Sequence, residues 1–314
     1  MPVVLEYSTN EVLSEGMDLI NLSERRKNHW STKSLIQQFK VHFGSHPRVY
    51  KYIFIDLQRS TNPDARIEPG RVKIKYFLMA LYFLRLYPTQ LEMVVTFDRC
   101  RETIDDWLWY YLRRLQALKD EVIVWPEEWG NPNNPFIPYH IGTVDGVHCM
   151  TYERQTAKYN RDKQCCSHKF KGPGLTYEVC MDLWECRMIH IRGPGKAGKN
   201  DKTVFRESLM GKIPAGSKVI ADNGYMADDL REVLAFSTTE HPRHIRRMYG
   251  RAKARHKSLY SRMKNFGVLS ERFRCKHADR DAKHKTCFEC VAIIVQYQFD
   301  CGSPLFTVDH LETI

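Results

Sequence analysis

No stretch of this chain stays apolar for the roughly 18 residues that a membrane-spanning helix needs. The opening residues, MPVVLEYSTNEV, lack the basic, apolar and small-residue succession of a secretory signal, so an intracellular setting is expected. Ten cysteines lie scattered without regular spacing, which points to free thiols rather than a disulfide framework. Glycine and proline, 17 and 14 of 314 residues, are too sparse for a low-complexity chain, and 43% of the residues are hydrophobic. A folded globular protein follows, long enough for two domains. Acids are the scarcer charge: 37 against 48 Lys and Arg, a net charge of +11. That balance favours a polyanionic partner, provided the cations are gathered in one place.

The first third of the chain is helical in pattern. Helices are expected around Ser34–Phe43 and Arg48–Gln58, and Ile74, Phe77, Leu78, Leu81 and Leu84 mark another that Pro88 closes. Thr89–Phe97 forms a short helix, and Ile104, Leu108, Tyr111, Leu115 and Leu118 stripe one face of Glu102–Lys119. Short helices followed by a longer one suit a DNA-binding helix-turn-helix, and equally an ordinary bundle. Pro126, Pro132, Pro135 and Pro138 then interrupt any regular element, placing a domain boundary near 138. The expected division is a helical region over 1–137, a second domain over 138–306 and a tail over 307–314.

Beyond the boundary the pattern changes to strands. Ile141–Met150, Leu175–Trp184 and Arg187–Arg192 read as three, the last two joined by Glu185-Cys186 and therefore antiparallel. Asp201–Met210 reads as a helix capped by Asn200, Val219–Ala221 as a strand, and Asp228–Ala235 as a short helix. This is the element order of an RNase H-like α/β core, a mixed sheet flanked by helices, in which the first and fourth strands are neighbours. Two acids stand at telling places: Asp145 in IGTVDGVHC and Asp222 in KVIADNGY. A carboxylate within or at the end of a buried strand is costly unless something is held there, although Asp-Gly and Asp-Asn-Gly also begin turns.

From His241 to Lys264 run nine cations and no acid: Arg243, Arg246, Arg247, Arg251, Lys253, Arg255, Lys257, Arg262 and Lys264. Such density repels itself unless an anion lies against it, and a phosphate backbone is the natural one. Arg243, Arg246, Arg247, Arg251, Lys253 and Arg255 are the expected DNA contacts.

The stretches TVDGVHC, SHKFKGPGLTYEVCMDLWECRMIHIRGPGKAGKNDKTVF, PAGSKVIADNGY and ARHKSLYSRMKNFGVLSERF resemble the DDE superfamily endonucleases of the PIF/Harbinger transposase kind, over roughly residues 138–306. The resemblance implies an RNase H-like domain in which Asp-Asp-Glu holds Mg²⁺ (or Mn²⁺) for DNA phosphodiester cleavage. It also implies DNA as partner, possibly a separate DNA-binding protein, and a nuclear location. Asp145 and Asp222 fill the first two metal-binding, catalytic positions. The third falls on Lys257, which cannot ligate a cation, so an inactive, DNA-binding descendant is the alternative. Glu271, fourteen residues on, is about 21 Å away along a continuous helix. His256 faces another direction, and Glu240 reaches the site only by a folded-back loop.

Cys275, His277, His284, Cys287 and Cys290 have a spacing that could suit zinc. Phe288, Val291, Ala292 and Val295 instead mark a helix there, in which Cys287 and Cys290 would be buried core residues.

Overall fold

The computed structural model describes residues 4–126, 140–152, 163–183, 185–227, 229–235, 243–275 and 278–308. Most of the proline-rich boundary, Glu240 and His277 lie outside this set. The chain forms two compact units, each made of separated segments. One comprises Met1–Val122, Met263–Glu271 and Thr286–Ser303; the other comprises Ile123–Arg262, Arg272–Lys285 and Pro304–Ile314. The chain thus returns twice to the helical unit, which a linear boundary at 138 does not express.

The helical unit begins with α1 (Thr9–Leu19), α2 (Glu24–His29), α3 (Thr32–Phe43) and α4 (Pro47–Arg59). It continues with α5 (Ile74–Leu86), α6 (Gln90–Phe97), α7 (Arg101–Ala117) and the single turn α8 (Lys119–Val122). Local chemistry sets several ends. Ser8 with Glu11, and Thr89 with Glu92, form capping boxes at α1 and α6. Gly44 ends α3 in the left-handed region at φ 88°. Between α6 and α7 only residues 98–100 intervene, with Asp98 at φ 47°. The α7 stripe Ile104, Leu108, Tyr111 and Leu115 is buried, packing as a helical bundle requires. Tyr50, Phe54, Phe77 and Tyr111 stack edge to face and tilted through its core.

In the second unit the elements are β1 (His140–Met150), β2 (Cys166–Ser167), β3 (Gly172–Asp182), β4 (Met188–Lys196) and α9 (Asp201–Glu207). Next come β5 (Lys218–Ala221), β6 (Val233–Ala235) and α10 (Arg243–Lys264), whose last two residues belong to the helical unit. The short α11 (Gly267–Ser270) and residues Thr286–Asp300 of α12 (Arg280–Asp300) complete that unit. Val291 to Val295 are all fully buried, so α12 is apolar on every side there, as a central helix must be.

The sheet is mixed. Its order is β2-β3-β1-β5-β6, with β4 also on β3. β3 is antiparallel to β1 and to β4, whereas β5 is parallel to β1 and β6 parallel to β5. Helices cover both faces. Phe205 and Leu209, from α9 and its end, pack with Val144, Cys180, Val219, Ala221 and Tyr225. Met248, Tyr249 and Ala252 of α10 pack with Leu183 and Ile220. Each such large side chain removed from water contributes about 1.5–3 kcal/mol before entropy is counted.

One element differs from its expected form. Val233–Ala235 is a strand, not the end of a helix over Asp228–Ala235. Leu230, Val233 and Leu234 have helical spacing, but Val233, Leu234 and Ala235 pair with Val219, Ile220 and Ala221 and complete the parallel edge. Tertiary pairing overrides a short local pattern.

Candidate functional site

Asp145 lies in the middle of β1, opposite Val179 of β3. On its other side β1 runs parallel to β5, with Thr143 opposite Ile220. Two residues past that pair come Asp145 on β1 and Asp222 just beyond β5. Side chains two apart share a face, so both carboxylates leave the sheet on the side of Thr143 and Ile220, where the β1–β5 pairing ends. Each is oriented by a backbone N–H. Gly146 donates to Asp145 Oδ1 at 2.8 Å and Gly224 donates to Asp222 Oδ1 at 2.7 Å.

A third carboxylate joins them. Asp201 is the first residue of α9, behind Asn200, whose side chain caps the helix by accepting from the Thr203 N–H. A Cβ placed on Gly146 would stand 2.9 Å from Asp201 Oδ1. A Cβ on Gly224 would meet Asp222 Oδ1 at 2.9 Å and Asp201 Oδ2 at 3.0 Å. Neither glycine has a positive φ. They are glycines because the Asp201 carboxylate occupies the space that a side chain would take. Asp222 is at the same time the cap of the turn that its Asp-Asn-Gly sequence announces, accepting from the Gly224 N–H.

The electrostatics agree with this closeness. Burial pushes the Asp145 carboxyl up to about 6, and the negative charges of Asp222 and Asp201 push the same way. Asp201 is also raised, by burial and by Asp222. Lys169 opposes both shifts; its Nζ donates to the Gly146 carbonyl at 3.0 Å. Glu178 on β3, directly across from Gly146, is pushed up to about 7 by burial while accepting from the Ser208 hydroxyl at 2.9 Å.

Helix α10 holds β1 from the face that Thr143 and Ile220 share. Tyr260 donates its hydroxyl to the Asp145 carbonyl at 2.7 Å, and His256 Nε2 lies 2.8 Å from Thr143 Oγ1. Burial lowers His256 to about 4, so its ring is neutral at physiological pH. His256 is thereby engaged in packing. Lys257, the residue at the expected third position, is exposed on α10. The cation facing the carboxylates is Lys169.

Three carboxylates and no nitrogen or sulfur ligand make a hard donor set suited to Mg²⁺ or Mn²⁺. Their mutual repulsion is what a divalent cation would relieve. Among the described residues, no three His, Cys, Asp or Glu side chains are gathered tightly enough to hold an ion as they stand. Sequence reasoning missed Asp201 because an acid in a first helical turn is common and its local signal is only that of a helix start.

The cations of α10 separate by face. Arg243, Arg246, Arg247 and Lys257 are exposed and Lys253 is half-buried. Gly250 sits among them with nothing within 4 Å of an added Cβ. Arg251 donates to the Thr307 carbonyl at 3.1 Å and lies over the Phe306 ring. Arg255 corrects the sequence expectation of a DNA contact. It is 2% exposed, and its guanidinium donates to the carbonyls of Leu183 at 3.0 Å and Glu185 at 2.8 Å, fixing the β3–β4 turn. A buried guanidinium whose two terminal nitrogens bond carbonyls is not offered to phosphate.

Among the described residues of the cysteine–histidine cluster no metal-holding group is gathered either. Cys287 and Cys290 are buried in α12, and Cys290 donates to the Leu112 carbonyl. His284 stacks on Tyr177, whose hydroxyl lies 2.7 Å from its Nδ1. All ten cysteines are free thiols.

No family model, curated protein or solved structure matches this chain. No helix among the described residues is long and apolar enough to cross a membrane.

Proposed function

We propose that this chain is an RNase H-like, DDE-type endonuclease of the PIF/Harbinger transposase kind, acting on nuclear DNA. The observation that carries the reading is the convergence of Asp145, Asp222 and Asp201 at one end of the parallel strand pair β1–β5. The strand order β4-β3-β1-β5-β6, three antiparallel strands followed by two parallel to the first, supports it. In this reading Asp201, not the residue at 257, completes the acidic set.

Asp145, Asp222 and Asp201 would hold the divalent cation. When bound, it would supply Lewis acidity at the phosphoryl group and stabilise the leaving oxygen. The protein's own groups do the rest. The Gly146 and Gly224 amides keep two carboxylates turned the same way, and Tyr260 pins the strand beneath Asp145. Lys169 adds positive charge where a phosphate would arrive. The exposed face of α10 grips the flanking backbone through Arg243, Arg246, Arg247 and Lys257.

A second reading has its own support. Lys169 already faces the two raised carboxylates, as a resident ammonium would in a DNA-binding protein that no longer cleaves. Plasmid nicking with Mg²⁺ or Mn²⁺ decides. Cleavage by the wild type that is lost in both Asp145→Asn and Asp201→Asn is the expected result. Tight duplex binding without any cleavage, in the wild type and in Lys169→Ala, would leave the second reading.

A further inference from the structure

The helical unit carries a cationic, aromatic cleft that the nuclease reading does not use. Ser23, Arg25, Arg26, His29 and Trp30 line a cavity of about 470 Å³ along α2. No carboxylate lines it. The neighbouring Asp18 and Glu24 are held by the Lys27 ammonium. Among the described residues neither Arg25 nor Arg26 has an ion-pair partner, and both are exposed. The Arg26 guanidinium lies 5.9 Å from the centre of the Trp30 ring, one helical turn on. Trp30 is half-buried and lines the cleft.

Two unpaired guanidiniums would take a phosphate, bidentate, at no cost in broken ion pairs. An indole beside them offers a stacking platform to any base, whatever its hydrogen-bonding edge. A duplex does not present base faces; an unpaired strand does. We propose that this cleft binds single-stranded nucleic acid, with a phosphate on Arg25 and Arg26 and an adjacent unpaired base stacked on Trp30. The site belongs to the helical unit alone and does not rest on the carboxylate reading.

The test is fluorescence anisotropy with the full chain and three labelled probes: a short oligothymidylate, an abasic strand of the same length, and the matching duplex. The abasic strand keeps the phosphates and removes the bases. The wild type is expected to prefer the oligothymidylate over the abasic strand by about tenfold. Trp30→Ala is expected to abolish that preference while leaving duplex affinity unchanged, and Trp30→Phe to retain most of it. Arg25→Ala/Arg26→Ala, at exposed positions that do not hold the fold, is expected to weaken both single strands and lower the salt slope by about 0.7. Equal binding of the oligothymidylate and the abasic strand by the wild type would overturn the proposal. So would a preference that survives Trp30→Ala, or binding of a phosphopeptide in place of either strand. Loss of plasmid cleavage bears only on the carboxylate site, so the two readings fail separately.

Discussion

Asp145 and Asp222 each stand two residues beyond one cross-strand pair, Thr143 and Ile220, on parallel neighbouring strands. Parallel pairing is what makes that possible: an antiparallel neighbour would carry the second acid away from the first. With Asp201 added, three like charges share a partly buried place, and several consequences can be measured.

Asp145→Asn should stabilise the protein at neutral pH. The folded carboxyl titrates at about 6 against 3.8 for the unfolded chain. The folded state therefore binds that proton more tightly, and stability falls as pH rises through this window and levels off above it. The shift corresponds to a loss on the order of 2–3 kcal/mol. Thermal melts should rise by roughly 5 °C for Asp145→Asn at pH 7.5 and by nothing near pH 4. Equal melting of the two proteins at pH 7.5 would contradict the clustering of charge.

Mg²⁺ or Mn²⁺ should reverse that order. An ion that binds only the folded state stabilises by mass action, about 2.7 kcal/mol at a hundredfold excess over its dissociation constant. The wild type should gain this on addition of either metal; Asp145→Asn, Asp201→Asn and Asp222→Asn should each lose most of it. A full metal-induced shift in Asp201→Asn would remove that residue from the set.

Three glycines should respond with opposite signs. Gly146→Ala and Gly224→Ala force a methyl against carboxylate oxygens, and overpacking of this kind costs about 1–3 kcal/mol. Gly250→Ala, with open space around it in α10, should instead stabilise by about 0.5–1 kcal/mol. Urea melts of the three variants test both signs at once.

Arg255 and the Arg246–Arg247 pair should divide stability from binding. Arg255→Ala leaves three carbonyls at the β3–β4 turn without their donor and should cost about 2–4 kcal/mol. Arg246→Ala/Arg247→Ala should cost little stability and lower the salt slope for duplex binding by about 1.8. A duplex affinity that is independent of salt would count against α10 as a phosphate-binding face.

Much of the sheet is legible from local pattern. β-branched runs leading into acids mark β1 and β5, a short connection (residues 183–187) makes β3 and β4 antiparallel, and Asn200 announces α9. Pattern fails where the deciding partner is distant in sequence. Val233–Ala235 is too short to carry its own period, and only Val219–Ala221 makes it a strand. Asp201 has an ordinary helix-start appearance until two glycines, at 146 and 224, make room for its carboxylate. Arg255 cannot be told from its basic neighbours, because helical phase alone turns it inward. Helices α1 and α2 passed without a signal strong enough to assign, although the Ser8–Glu11 box was there to find.

The three ties from α10 to the sheet have a mechanical meaning. Arg255 holds the β3–β4 turn, His256 meets Thr143 and Tyr260 bonds the Asp145 carbonyl, all within six residues. The middle of this helix cannot open without tearing strand contacts, so its amides should exchange with deuterium only as slowly as the sheet itself. Its basic outer face is accordingly a ruler. In the proposed nuclease a phosphate seated there would lie a fixed length from Asp145, and that length, set by one helix rather than by a loop, would select which bond of a bound strand is presented.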